Sequence, residues 1–186
     1  MCMINKDILH INEENLSNRP MIVFGNLPYN ISTQILAKWI KIINLNNTFK
    51  RFILMFQKEV GERIVADTNK KNYGRLSILT SWRMNVKKIT DVSPKSFFPV
   101  PKVKSTILLI EPKIKYYNLK NPKNLEYITS VFFNQRRKMI KKPINLLFKN
   151  ANELSSKLNI NLNDRPQNLS PTKYFQICDE YEKLSS

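Results

Sequence analysis

Glycine is almost missing from this chain: 186 residues contain 3, at Gly25, Gly61 and Gly74. None stands in a G-x-G array, so no glycine loop of the kind that cradles a dinucleotide or nucleotide phosphate can be drawn on the sequence. Cysteine and histidine are equally scarce. Cys2 and Cys178 lie at opposite ends, no CxxC pair exists, and His10 is alone. These absences exclude a sequence-encoded zinc site and a disulfide framework, and no metal is expected. Acidic residues are few, 14 against 31 Lys and Arg. Long apolar runs are also lacking. The first residues have no stretch that would serve as a signal peptide, and no segment approaches a membrane span. A reduced, soluble, cytoplasmic protein is expected.

What is present is positive charge and a real core. The net charge is +17, the isoelectric point about 9.9, and 42% of the residues are hydrophobic, with 10 Phe. Such an excess suits a polyanionic partner, because neutralising phosphates releases counterions and supplies affinity without sequence readout. Lysine enrichment also accompanies the abundant Asn and Ile of an AT-rich genome, so charge alone does not identify nucleic acid as the partner.

Hydrophobic patterning points to an open α/β sheet. Residues 21–24 read as a short strand covered on both faces, and residues 33–43 as an amphipathic helix carrying Ile35, Leu36, Trp39, Ile40 and Ile43. Residues 51–56 form a second strand, followed by a helical turn with Lys58 and Glu62 four apart. Leu76, Leu79 and Trp82 predict a helix after Gly74. Residues 89–92 and 106–110 are two more strands, joined by the proline-rich loop 97–101 and too close for a crossover helix. They are expected as an antiparallel pair at the sheet edge. After Pro112 the pattern becomes helical. Asn121-Pro122 and Ser170-Pro171 are helix starts, the first leading a face of Leu125, Ile128 and Phe132, the second a face of Tyr174, Cys178 and Tyr181. Two parts follow, residues 1–112 and a small all-helical domain over residues 113–186.

The chemistry is concentrated in Asn26-Leu27-Pro28-Tyr29, directly behind the first strand, where open α/β sheets bind their ligands. The exocyclic amine of adenine is a poor nucleophile because its lone pair is delocalised into the ring. Methylation needs acceptors that hold the N–H bonds and draw the lone pair out of the plane. The Asn26 side-chain oxygen and a carbonyl of Leu27 or Pro28 can do so and stabilise the cation that develops. Pro28 fixes the backbone, and Tyr29 offers a ring face to an extruded base. The same four residues also make a plain strand-to-helix turn.

Residues 25–33, Gly-Asn-Leu-Pro-Tyr-Asn-Ile-Ser-Thr, resemble the signature of the ribosomal RNA adenine dimethyltransferases. Phe56-Gln57-Lys58-Glu59-Val60, Tyr73-Gly74-Arg75-Leu76-Ser77, residues 97–103, Gln135-Arg136-Arg137-Lys138 and residues 165–170 are similar to further blocks of that family, in order and over nearly the whole chain. The Phe-Gln-Lys-Glu segment favours the small-subunit branch over the antibiotic-resistance methylases of the large subunit. The resemblance implies S-adenosylmethionine as methyl donor, N6 of two adjacent adenines near the 3′ end of small-subunit rRNA as target, and the immature small subunit as partner of a monomeric enzyme. It implies that Asn26 holds the amine beside the cofactor's methionine end and that Tyr29 stacks on the base. Phe97 would close the other face, Phe98 being the less favoured candidate, and Asp7 would accept a hydrogen bond from the cofactor's adenine. The family's glycine loop and first strand–helix units have no counterpart here. The expected fold is therefore a partial Rossmann-like methyltransferase sheet lacking its first strands, truncated at the N-terminus. Residues 1–112 expressed alone would expose an apolar strand edge, an aggregation hazard.

Arg136, Arg137, Lys138, Lys141 and Lys142 are expected along the helix that begins near Pro122, with Pro143 ending or kinking it. They are candidates for phosphate contact, and Lys102 and Lys104 for guiding the strand into the base pocket. Two other functions stay open: a non-catalytic, basic RNA-binding remnant that occupies the pre-ribosome, and a DNA adenine methyltransferase. The helical tail and the residue 97–103 block speak against the DNA enzyme.

Overall fold

The structure is a computed structural model and describes residues 3–184; Cys2 lies outside them. The chain divides into two compact units: residues 1–61 with 83–115, and residues 62–82 with 116–186.

The first unit is built on a four-stranded sheet of order β1-β2-β4-β3. Strand β1 (Met21–Asn26) lies parallel to β2 (Phe49–Gln57), while β4 (Ser105–Pro112) runs antiparallel to both β2 and β3 (Met84–Val92). The expected antiparallel edge pair is therefore present. Strand β3 begins at Met84 rather than 89. Among the described residues it pairs on one side only, and it is largely exposed, so nothing demanded an apolar alternation there, and Lys87-Lys88 hides the strand in the sequence.

Helix α1 (Ser32–Ile40) buries Ile35, Leu36, Trp39 and Ile40. Their spacing puts them on one stripe, and the Trp39 ring stacks on Phe52 of β2 at a centroid distance of 5.2 Å. Phe52, Leu54 and Phe56 alternate on the buried face of β2. The helix stops short of 43, and Ile43 is 83% exposed. The buried Arg83 is the cause. Its guanidinium donates to the carbonyls of Ile40 (2.9 Å), Ile42 (2.5 Å) and Ile43 (3.2 Å), which turns them away from a continued helical ladder. A short helix, α2 (Leu45–Thr48), leads into β2.

Strand β1 differs from the expectation of cover on both faces. Ile22 is 47% and Phe24 72% exposed. It closes one side of the sheet, and among the described residues only β2 pairs with it.

Helix α3 (Lys58–Ile64) and helix α4 (Arg75–Arg83) each span a point where the chain passes from one unit to the other. Lys58 and Glu62 do share α3, as expected, but each has another partner: Lys58 Nζ meets Asp91 at 3.0 Å, and Glu62 accepts from Asn72.

In the second unit, α5 (Pro122–Phe133) begins at the expected Asn121 cap, whose side chain accepts from the Lys123 N–H, and α8 (Pro171–Leu184) begins at Pro171. Between them lie α6 (Lys141–Leu147) and α7 (Ala151–Leu158), two short helices without a long apolar period. Tyr73, Phe132 and Tyr174 are fully buried, and the two phenols donate to the carbonyls of Leu169 and Pro166. The buried Glu182 accepts from the N–H groups of Lys120 and Asn121, which ties the last helix to the start of α5.

The basic cluster does not ride on one helix. Helix α5 ends at Phe133, Arg136–Lys138 occupy the following turn, and Lys141 and Lys142 open α6. Pro143 sits in the first turn of α6, where the missing N–H breaks no intrahelical bond. No helix among the described residues is long and apolar enough to cross a membrane.

Candidate active site

The corner behind β1 is set by its own hydrogen bonds. Asn26 ends the strand, opposite Met55 of β2. The Pro28 carbonyl accepts from the Ile31 N–H at 3.1 Å and the Tyr29 carbonyl from the Ser32 hydroxyl at 3.2 Å. Together these turns redirect the chain into α1. Leu27 points inward and is buried, while Asn26 and Pro28 are exposed.

Across from the corner is the loop that follows β3. A cleft of about 310 Å³ is lined by Asn26, Leu27, Pro28 and Tyr29 on one side and by Phe97, Phe98, Pro99 and Pro101 on the other. Residues some 70 positions apart in the chain thus meet around one open pocket. Three rings and three prolines give it flat apolar walls; Asn26 gives it an amide. Among the described residues that amide has no hydrogen-bond partner. Phe97 is half-buried and Phe98 fully exposed, so Phe97 is the better anchored of the two rings.

One contributor had no sequence signal. The Tyr29 hydroxyl lies 2.6 Å from Ser105 Oγ, and Ser105, at the start of β4, is fully buried. The contact bridges 76 positions and pins the far end of the Tyr29 ring. Ser105 can be found only once the register of β4 against β2 puts it beside Gln57. Lys102 and Lys104 are exposed on the segment that leads from the cleft wall into β4.

Asp7 does not line the cleft. It caps a 3-10 turn, Ile8–His10, accepting from the Leu9 N–H at 2.9 Å, and its other oxygen is 3.5 Å from His10. The segment after it is fastened to α1. Lys38 Nζ donates to the carbonyls of Ile8 (2.7 Å) and Ile11 (2.5 Å) and to Glu13 (2.7 Å). Glu13 is buried and also accepts from the Trp39 indole N–H at 2.7 Å.

None of the three glycines forms a cofactor loop. Gly25 packs between Leu54 and Leu27, Gly61 against Thr106, and Gly74 beside Phe133, and no glycine has a positive φ. The cleft thus offers the Asn26 amide among apolar walls, while Asp7 lies outside its lining. Arg136, Arg137, Lys138, Lys141 and Lys142 belong to the other compact unit.

The family described as ribosomal RNA adenine dimethylase matches residues 1–183. Among curated relatives, the ribosomal RNA small subunit methyltransferase A of Pelagibacter ubique (strain HTCC1062) is 56% identical over 182 residues, covering 98% of this chain and 70% of that protein. The protein of the same name from Ehrlichia chaffeensis (strain ATCC CRL-10679 / Arkansas) is 43% identical, over 95% of this chain and 66% of that one. The chain thus spans about two thirds of the length of these relatives. A crystal structure of a dimethyladenosine transferase from Plasmodium falciparum is similar with a TM-score of 0.72 and 26% identity, over 88% of this chain and 67% of that one. The 23S rRNA methyltransferase ErmE shares the fold at a TM-score of 0.64 and 17% identity, over 98% of this chain and 71% of that one.

Proposed function

This chain belongs to the ribosomal RNA adenine dimethylase family, and we propose that it grips and docks the substrate in S-adenosylmethionine-dependent dimethylation of N6 on two adjacent adenines near the 3′ end of small-subunit rRNA. It does so in the cytoplasm, as a monomer, on the immature small subunit. The catalytic work falls to residues 1–112 and rRNA docking to residues 113–186, with residues 62–82 folded into the same compact unit as the tail.

The observation that carries this reading is the meeting of Asn26, Pro28, Tyr29 and Phe97 in one cleft. An extruded adenine slides between the Tyr29 and Phe97 rings, and Ser105 keeps the Tyr29 ring from swinging away. Asn26 Oδ1 accepts one N–H of the amine. The Pro28 carbonyl is already engaged by Ile31, so the Leu27 carbonyl is the better second acceptor. Held between them, the nitrogen loses conjugation with the ring and gains nucleophilicity, and the same acceptors stabilise the cation formed. When bound, S-adenosylmethionine supplies an electrophilic sulfonium methyl. The proton then leaves to solvent without a carboxylate base. Because the cleft is open, a monomethylated amine can re-enter for a second round.

Asn26→Ala, in the protein purified from its native source, tests the grip. Methylation of unmethylated small subunits is expected to fall by about 10²–10³-fold, the usual loss for one preorganised transition-state contact. Affinity for rRNA should stay within about twofold, since phosphate contacts dominate it. Activity that survives the substitution overturns the assignment of Asn26.

The spending of every glycine on packing favours a second reading, a basic RNA-docking protein that does not methylate. Calorimetric titration with S-adenosylmethionine separates the two. Binding that depends on Asp7 and Asn26 supports the enzyme; no heat with retained RNA affinity supports the docking protein.

A further inference from the structure

Arg136 is half-buried and its guanidinium is turned back into the protein. Nη2 donates to the Lys71 carbonyl at 2.5 Å and approaches the Lys70 carbonyl at 3.5 Å. The loop it holds is fixed from a second side. The Asn69 N–H donates to the Gln167 carbonyl at 2.9 Å, and Asn168 Nδ2 donates to Asn69 Oδ1 at 2.8 Å. Inside the loop, the Lys70 N–H bonds the Asp67 carbonyl and the Tyr73 N–H bonds the Lys70 carbonyl, both at 3.1 Å. Asn69 adopts φ 71°, a left-handed conformation that asparagine tolerates better than most residues. Below the loop, the buried Tyr73 is anchored to Leu169.

With the backbone so tied, the side chains of Lys70 and Lys71 are exposed. No described ion pair uses Lys70, Lys71, Arg137 or Lys138. Loop 67–73, turn 134–138 and segment 165–168 are far apart in sequence, yet these hydrogen bonds join them into one surface. It carries Lys70, Lys71, Arg137, Lys138 and Arg165 against Asp67 and Asp164. The result is a predominantly basic surface on a braced loop, which presents ammonium groups without the ordering cost of a flexible one.

We infer that Lys70 and Lys71 are phosphate-contacting residues of the RNA-docking surface, and that Arg136 is a positioning residue that presents them. The inference rests on the docking reading above and divides the basic cluster by role. Arg137 and Lys138 face the backbone of a folded RNA with Lys70 and Lys71, whereas Arg136 acts on RNA through the loop it braces.

The test is the salt dependence of affinity of the full 186-residue chain for a 3′-terminal fragment of small-subunit rRNA. Each phosphate contact contributes about 0.7–0.9 to the slope of log affinity against log salt. Lys70→Gln with Lys71→Gln should therefore reduce that slope by about 1.4–1.8. Arg136→Gln removes one charge but should reduce the slope by more than one contact. On the Lys70→Gln, Lys71→Gln background it should reduce it hardly at all. An unchanged slope in the double lysine variant, with the unaltered chain binding in a salt-dependent way, overturns the inference and leaves the docking reading standing. An Arg136→Gln effect that adds fully on the lysine-free background overturns its positioning role. An unaltered chain with no salt-dependent binding overturns the docking reading, and this inference with it. Both lysine side chains are exposed, so the double variant remains folded for the comparison even if Arg136→Gln does not.

Discussion

Single residues decide how closely elements approach in this protein, and Gly61 is the sharpest case. A Cβ added there would lie 2.1 Å from Thr106 Cγ2 on β4. Thr106 cannot yield. It is buried, β-branched and held by a hydrogen bond from its hydroxyl to the Thr90 carbonyl at 3.1 Å. Gly61→Ala is therefore expected to destabilise the protein by about 1–3 kcal/mol, the usual cost of overpacking. Adding Thr106→Ser removes the methyl that clashes, and the next contacts, at 3.6 and 3.9 Å, are ordinary. Urea denaturation of the single and double variants checks this, and a double variant no more stable than Gly61→Ala would disprove the steric account. Ser105 acts at the same scale in the site, where one buried hydroxyl orients one ring.

At the scale of elements, the N-terminal segment is held to α1 by one ammonium group that uses all three of its donors. Lys38 sits in the last turn of the helix, where a cation also complements the helix dipole. Lys38→Met leaves the Glu13 carboxylate buried with the Trp39 N–H as its remaining described donor. Because Lys38 is itself partly exposed, the loss is discounted from that of a fully buried pair to about 1–3 kcal/mol. It should be local. Hydrogen exchange is expected to speed up by about 5- to 150-fold across residues 8–15, each 1.4 kcal/mol being a factor of ten, while β2 and β4 keep their protection. Uniform loss across the sheet would show instead that the cluster supports the whole unit. Since Asp7 opens the segment, any affinity it has for an adenine amine should fall with it.

For the molecule as a whole, buried neutral acids in the helical unit contribute to the loss of stability at alkaline pH. Burial, with Glu182 and Asp179 adding to it, pushes the Cys178 thiol from its ordinary 9.0 up to about 12. Burial also raises the phenols of Tyr73 and Tyr174. In the unfolded chain these groups ionise at their ordinary values; in the folded chain they stay protonated. Above about pH 9 the unfolded state has thus lost protons that the native state keeps, and stability falls as pH rises. Their contribution is complete below pH 9.0 for the thiol and is lost towards about pH 12. Denaturant midpoints should decline steadily from about pH 9 upward, and Cys178→Ala should flatten part of that decline. Alkylation of Cys178, followed by peptide mapping so that Cys2 is counted apart, should track unfolding and be negligible in the native protein. Rapid labelling at neutral pH would refute its burial.

Much of this architecture is legible in the amino-acid sequence itself. Apolar period places β2, α1 and α5. Asn-Pro and Ser-Pro starts place the first residues of α5 and α8, because a proline at a helix start imposes its geometry locally. The Asn26–Tyr29 corner is legible for the same reason: turn chemistry is written in neighbouring residues. Other features escape because their causes are not local. The stop of α1 at Ile40 is imposed by Arg83, more than forty positions on, and β3 extends to Met84 because pairing with β4, not its own pattern, defines it. Pro143 looks like a helix breaker in sequence, yet first-turn placement makes it harmless. Sequence determined which chemical groups the protein owns. Only tertiary structure decided that Phe97 and Tyr29 line one cleft, that Ser105 holds the Tyr29 ring, and that Arg136 braces Lys70 and Lys71, since these arrangements depend on strand register and loop closure across distances no local pattern encodes.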